Sequence, residues 1–585
     1  MKYDLITTSL HNNFAKDINY INLGEWCNIK SDGKYQKNGH KTLQYIFDER
    51  ELLNKKQVYL VDLYESYLGQ LKHNLNQLHN TSYNIKFWRI LIGPWLKYFI
   101  DIIYERYNCI NFAYNNYNII NTKVFNYKLE NCAPQDFSEF RKEANTDEWN
   151  HIIFSEIIKF QSRKFARCSE EIKIKRQNKK YLPRYKKIIK KILIYFNKLP
   201  INKNIYTVNS LLGYKDLIKL HLKLKQFPNL FDTLVKPIGI KNRIYDKKLR
   251  AHIVFQNHSD EFNLLLNNII KFYLPKDYIE NFNDLKKSAM LNYPKKTNVI
   301  YTANAYSYDE VFKYWVARSV TKSDSKFIIA QHGGRSGISK YLQSQDHQIA
   351  IADKFLSWGW KNDSSNKIDI LSSYKLSKSK KNLKYEKNGN ILIIQPTYFK
   401  YFYCNLSMPH GPQWLSHLKD QILLIKNLEK NIQNKILVRK AVRNNQIDVN
   451  RYFELYNLKN IKFDKYKSFT DSANNSRLCI VTDNSTILLE CMTANFPTII
   501  YWDKDYYELS SEAEKIFDSL SKCGIFHYSY TSAATKINEI HGNISSWWNC
   551  IQTQEARIKF CKKYCYSNEN WLLEWSNYFT KLNKN

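Results

Sequence analysis

Three clusters of side chains in this sequence have the chemistry to hold a phosphorylated or sugar substrate. The sharpest is Asp483-Asn484-Ser485-Thr486-Ile487-Leu488-Leu489-Glu490, which directly follows an apolar run and opens a helical pattern. A helix start presents unpaired N–H groups and a partial positive charge. Asn484, Ser485 and Thr486 can therefore either cap the helix or bind phosphate oxygens. Glu490, one helical turn further in, suits a ribose hydroxyl.

The second cluster is Gln331-His332-Gly333-Gly334-Arg335-Ser336-Gly337. Its glycines allow the backbone, including Gly333 and Gly334, to approach a ligand closely, and Gln331 and His332 supply polar groups; His332 can also exchange a proton. A plain turn with a surface histidine is the alternative. The segment lacks the spacing of a Walker loop and of GxGxxG, so neither an ATPase nor an NAD enzyme is supported. The third cluster lies where two apolar runs end, at Gln395-Pro396-Thr397-Tyr398 and in VRKAVR, which holds Arg439, Lys440 and Arg443. A guanidinium grips phosphate oxygens as a bidentate fork, so one of these cations is expected to face a donor phosphate.

The candidates for proton transfer or attack are His332, Glu25 in LGEWC and Asp309 in the Asp309-Glu310 pair, with Asp48 in FDER also weighed. Helix-start carboxylates such as Asp309 are more often caps than catalysts. No DxD-like metal motif stands in a suitable context, so neither a metal nor a cofactor is expected.

These groups need a scaffold that brings strand ends together. Apolar runs at 298–304, 326–330, 391–395, 436–440, 461–464, 478–482 and 498–502 read as strands, with helices over 309–320, 412–433 and 485–494 between them. Continuous apolar strands alternating with amphipathic helices predict parallel sheets covered on both faces. The fold class is therefore α/β. Residues 1–370 are expected to form an N-terminal, acceptor-side Rossmann-like domain with a Lys-rich helical insertion at about 135–290. The Ser/Lys-rich stretch 371–390 reads as a linker, 391–545 as a nucleotide-binding Rossmann-like domain, and 546–585 as a helical tail. Within the first domain, Leu60, Tyr64, Tyr67, Leu68, Leu71, Leu75 and Leu78 share one helix face, and Gly93-Pro94 punctuates the aromatic run that follows.

Length and composition agree with this division. At 585 residues, 44% hydrophobic and 15% aromatic, the chain is too long for one core and rich enough in apolar surface for several. The net charge of +35 points to a polyanionic partner or to the Lys bias of an A/T-rich genome. The run Lys173–Lys198 interleaves Lys with Ile, Leu, Tyr and Phe, and suits either an anionic membrane surface or a solvated helix. Eleven cysteines without a CxxC pair argue for a reducing cytoplasm. The N-terminus does not read as a signal peptide, and Ile90–Ile103 is too short to span a bilayer.

The segments LGEWC, FDERELL, LYESYL, LHNTSYNIKFWRILIGPWL, FIIAQHGGRSG, FLSWGW, MPHGPQW, TDNSTILLECMTANFPTIIYWD and KCGIFHYSYTSAA, in this order, together resemble a transferase family of bacterial O-antigen and surface-carbohydrate loci. That family is similar to GT-B capsule enzymes that transfer ulosonic or nonulosonic acids from CMP-sugars, and to CDP-glycerol polymerases. Ser336 departs from the Tyr that relatives often carry after QHGG. The resemblance implies a GT-B glycosyltransferase with His332, Ser485, Thr486 and Glu490 around the donor nucleotide. It further implies a CMP-sugar donor, a glycan or lipid-linked glycan acceptor, no nucleic acid, and a cytoplasmic protein with peripheral contact to the inner membrane. The competing readings are a CDP-polyol phosphotransferase and a non-catalytic basic scaffold for nucleic acid or membrane.

Overall fold

The computed structural model describes residues 1–11, 14–176, 204–228, 244–256, 260–362, 365–441 and 446–584, with a few isolated positions between 183 and 192. Most of the basic run after Arg176, and Arg443, lie outside these residues.

Among these residues the fold is mixed α/β and is built on three wholly parallel sheets. The first contains β1 (Tyr3–Ile6), β2 (Tyr20–Asn22), β3 (Lys41–Thr42), β4 (Ile119–Asn126) and β5 (Ala166–Glu171), in the order β3-β2-β1-β4-β5. The second contains β6 (Ile205–Thr207), β7 (Val299–Thr302), β8 (Lys326–Ala330), β9 (Lys354–Ser357) and β10 (Ile368–Ile370), lined up monotonically as β10-β9-β8-β7-β6. The third contains β11 (Asn390–Ile394), β12 (Ile436–Arg439), β13 (Lys462–Phe463), β14 (Ser476–Val481), β15 (Thr498–Tyr501) and β16 (Phe526–His527). Its order is β13-β12-β11-β14-β15-β16. Counting from β11, that is the 3-2-1-4-5-6 arrangement of dinucleotide-binding sheets, with the switch in direction between β11 and β14.

The strands NILII, ILVR and TIIY are buried nearly throughout because helices cover both faces, which is why they read as unbroken apolar runs. Two long helices, Arg50–His79 and Ile85–Asn116, pack on each other and are joined through Asn80 in the left-handed conformation (φ 48°); the second also packs on the helix Glu310–Lys322. Gly93-Pro94, read as a break, lies inside the second of these helices. A proline there forfeits a backbone hydrogen bond. Close packing accompanies it: a Cβ on Gly93 would fall 2.7 Å from the Tyr64 hydroxyl and 2.9 Å from His347.

The N-terminal part thus holds two sheets, a finer division than one Rossmann-like domain. The region read as helical, 135–290, carries helices but also β5 and β6, one closing the first sheet and the other opening the second. The segment read as a linker contains the helix Tyr374–Asn382, which ties to the third sheet's layer through Lys375 and Ser379 on Glu490. The tail helix Trp571–Lys584 returns to the second sheet, where Trp575 and Phe579 pack on Tyr301. Among the described residues no helix is long and apolar enough to cross a membrane.

Candidate functional site

The third sheet's carboxyl edge gathers the expected rim. Ile394 pairs with Arg439 on one side and Val481 on the other, so the residues leaving β11, β12 and β14 emerge together. In open α/β sheets the crevice for ligands lies at the switch point, here between β11 and β14.

From β14 the chain passes through Thr482 and Asp483 to Ser485, the N-cap of the helix Thr486–Thr493. Ser485 has the extended backbone of a cap, yet its side chain makes no capping hydrogen bond. Serines at true caps in this molecule behave otherwise: Ser510 accepts from the Ala513 amide and Ser529 from the Ser532 amide. The helix start at the crevice therefore keeps its N–H groups free of side-chain caps, the arrangement that favours an anion.

The Gln331–Gly337 loop, leaving β8 of the second sheet, lies directly on this helix start. A Cβ on Gly334 would stand 2.3 Å from the Ser485 carbonyl oxygen and 2.9 Å from that of Asn484, so only glycine admits this approach. Arg335 donates from Nε to Asn484 Oδ1 at 3.1 Å and places Nη2 3.5 Å from Asp483 Oδ2. Burial pushes the Asp483 carboxyl above the ordinary carboxylate range, while the nearby Arg335 charge opposes that rise. Asn484 also donates to Ser339 at 2.9 Å. His332 and Gly333 are half-buried in this loop, and the nearest atom to a Cβ on Gly333 would be Thr486 Oγ1, at 4.0 Å.

Other predicted residues hold the walls. Gln331 accepts from the Trp358 amide (3.0 Å) and Trp360 Nε1 (2.8 Å) and donates to the Gly333 carbonyl, which fixes the loop's entry. Gln395 donates to Gln421, which in turn donates to Tyr398 and Thr482 beneath the crevice. Glu490 is 6% exposed, and its carboxylate accepts from Ser379 (2.7 Å) and pairs with Lys375 (2.8 Å). Arg439 stands on the rim with its guanidinium engaged by Asp464, Ser472 and the Tyr466 carbonyl. Lys440 donates to Asn450 and lies over the Phe463 ring.

Of the carboxylates weighed as catalytic groups, Glu25 and Asp309 make no contact with this crevice among the described residues. Asp309 caps the helix Glu310–Lys322 by accepting from the Phe312 amide at 3.0 Å. Glu25 accepts from Asn28 (2.9 Å) and the Tyr35 hydroxyl (3.1 Å) beside the first sheet. Arg335, to which the sequence reading assigns no part, is the cation that lies against Asp483 and Asn484 at this helix start. A lone cation flanked by glycines was the available signal. Among the described residues no three His, Cys, Asp or Glu side chains come together as metal ligands.

The sequence profile described as LIC12162 family transferase matches residues 3–579. No curated protein matches the chain. Among solved structures, WaaG, a glycosyltransferase involved in lipopolysaccharide biosynthesis, aligns at 12% identity and a TM-score of 0.28 over 64% of this chain and 99% of its own. MurG of Acinetobacter baumannii aligns at 9% identity and a TM-score of 0.32 over 65% and 99%.

Proposed function

The chain belongs to the LIC12162 family of transferases, and from that premise we propose that it is a glycosyltransferase moving a sugar from a nucleotide donor to a surface-polysaccharide acceptor. The observation that carries this reading is the uncapped helix start at Ser485–Thr486, at the switch point of a 3-2-1-4-5-6 sheet and beneath a glycine loop from another sheet. A donor's phosphate set against that helix start meets free N–H groups and the positive end of the dipole.

When the bond between the sugar's anomeric carbon and the phosphate oxygen breaks, negative charge builds on the leaving phosphate. Fixed dipoles and a nearby guanidinium stabilise that charge without reorganising. Arg335 is the cation at hand. His332, in the same loop, is the group we assign to proton exchange with the acceptor hydroxyl. The donor is proposed to be a CMP-activated ulosonic or nonulosonic acid, and the acceptor a glycan or lipid-linked glycan reached from the cytoplasmic face of the inner membrane.

Thermal unfolding of the full chain with CMP, UDP and GDP tests the donor site. At least one nucleotide should raise the midpoint, and the rise should shrink in Arg335→Ala. No rise with any of the three sinks the proposal.

A further inference from the structure

The first sheet, β3-β2-β1-β4-β5, has its own switch point between β1 and β4, and nothing in the donor reading uses it. A cavity of about 450 Å³ opens outside the carboxyl ends of its strands. That volume lies within the range of small-molecule sites, roughly 300–1,000 Å³. Ser9 and His11 follow β1, Asn28 and Lys30 follow β2, Lys37 precedes β3, and Asp147 begins the helix Asp147–Phe160 that leads to β5.

The walls are built rather than incidental. Asn22 and Asn38 exchange side-chain hydrogen bonds at 3.0 and 2.9 Å. Asn28 accepts from the Asn38 amide and donates to Glu25, so Glu25 braces this wall. Asp147, the one acid among the described residues that line the cavity, pairs with buried Lys400 at 2.6 Å and accepts from Ser9 (2.8 Å) and Tyr401. Its charge is thereby balanced. Lys30 and Lys37 are exposed and have no acidic partner among the described residues, which leaves the cavity positive.

His11, only 6% exposed, supplies a donor of fixed identity. The Phe125 amide donates to Nε2 of His151 (3.3 Å), so that ring, kept neutral by burial, carries its proton on Nδ1 and gives it to Thr7 Oγ1 (3.2 Å). The Thr7 hydroxyl then spends its single proton on Nε2 of His11 (3.2 Å). His11, held neutral by burial, is left with its proton on Nδ1, which has no hydrogen-bond partner among the described residues. An N–H donor on a residue that lines a polar cavity can meet an acceptor from the ligand.

We propose that this cavity is a second binding site, separate from the nucleotide crevice, for a sugar carrying an oxyanion. Lys30 and Lys37 would meet the phosphate or carboxylate, and His11 and the amide wall the ring hydroxyls.

Calorimetric titration of the full chain with glucose 6-phosphate, glucuronate and glucose tests this and separates phosphate from carboxylate. At least one charged sugar should bind about tenfold or more tightly than glucose, and Lys30→Ala should weaken it by a similar factor, as for a lost charge-assisted contact. Lys30 is on the surface, so that variant keeps its fold; His11→Phe is the second variant, also expected to weaken binding. Saturating CMP, UDP and GDP should leave the charged sugar bound. Failure of both charged sugars to bind, binding indifferent to both variants, or displacement by a nucleotide each overturns the proposal. None of these outcomes depends on whether a nucleotide raises the unfolding midpoint.

Discussion

Gly334 and Ser485, from loops that belong to different sheets, approach so closely that a Cβ on the glycine would lie 2.3 Å from the serine carbonyl oxygen. Gly334→Ala must push the two loops apart, at a cost of about 1–3 kcal/mol for an overpacked contact. We expect it to lower the unfolding midpoint and to abolish the nucleotide-induced rise. Gly333→Ala, with no protein neighbour nearer than 4.0 Å, should leave the unfolding midpoint without nucleotide unchanged. Thermal scans of the two variants with and without nucleotide decide the matter.

Ser485 occupies a cap position without capping. Ser485→Ala should therefore change stability by less than about 0.5 kcal/mol, as at sites without a specific interaction, while weakening nucleotide binding. Ser529→Ala, which removes a working cap, should cost about 1 kcal/mol and leave binding alone. Denaturant unfolding beside nucleotide titration measures both. A Ser485→Ala loss as large as that of Ser529→Ala would make Ser485 an ordinary cap.

Lys400, from the loop after β11, is buried against Asp147 at the first sheet. Removing one member of such a pair strands the other charge and costs about 3–5 kcal/mol. Lys400→Met should show that loss in denaturant unfolding, and adding Asp147→Asn should recover part of it. Additive losses would mean that the two side chains do not interact.

Burial holds the His11 imidazole down to about 3, against 6.5 in the unfolded chain. Between those values the unfolded chain binds the proton and the folded one does not, so this group's contribution to stability falls as pH drops from 6.5 towards 3. The slope it adds is at most about 1.4 kcal/mol per pH unit. His11→Gln should make the stability-against-pH curve shallower by up to that amount in this window, and leave it unchanged above pH 7.5. An unchanged slope would place the His11 ring in water.

The sequence made the third sheet legible because its strands are buried on both faces and so appear as runs such as NILII and TIIY. Of the first sheet only β1 is legible, in a short strand read over Tyr3–Leu10; the rest is hidden because β3 has two residues and β5, ARCSEE, is an exposed polar edge. That the QHGG loop and the Ser485 helix start share one site is implied by the resemblance, but how closely they meet is not. The tightness of that meeting depends on the fold, through Gly334. Arg439 looked like a free rim cation because Asp464, its partner, is distant in sequence and carries no local signature. Whether Ser485 capped its helix was likewise undecidable from residue type, since the answer lies in where its hydroxyl points.

Hydrogen exchange of the full chain, with and without the nucleotide that raises its unfolding midpoint most, tests the donor site directly. Bound nucleotide should slow exchange at the amides of Ser485–Leu488 and of the Gln331–Gly337 loop. Protection confined to other regions, or no protection at saturating nucleotide, would contradict the assignment of the donor phosphate to the helix start at Ser485.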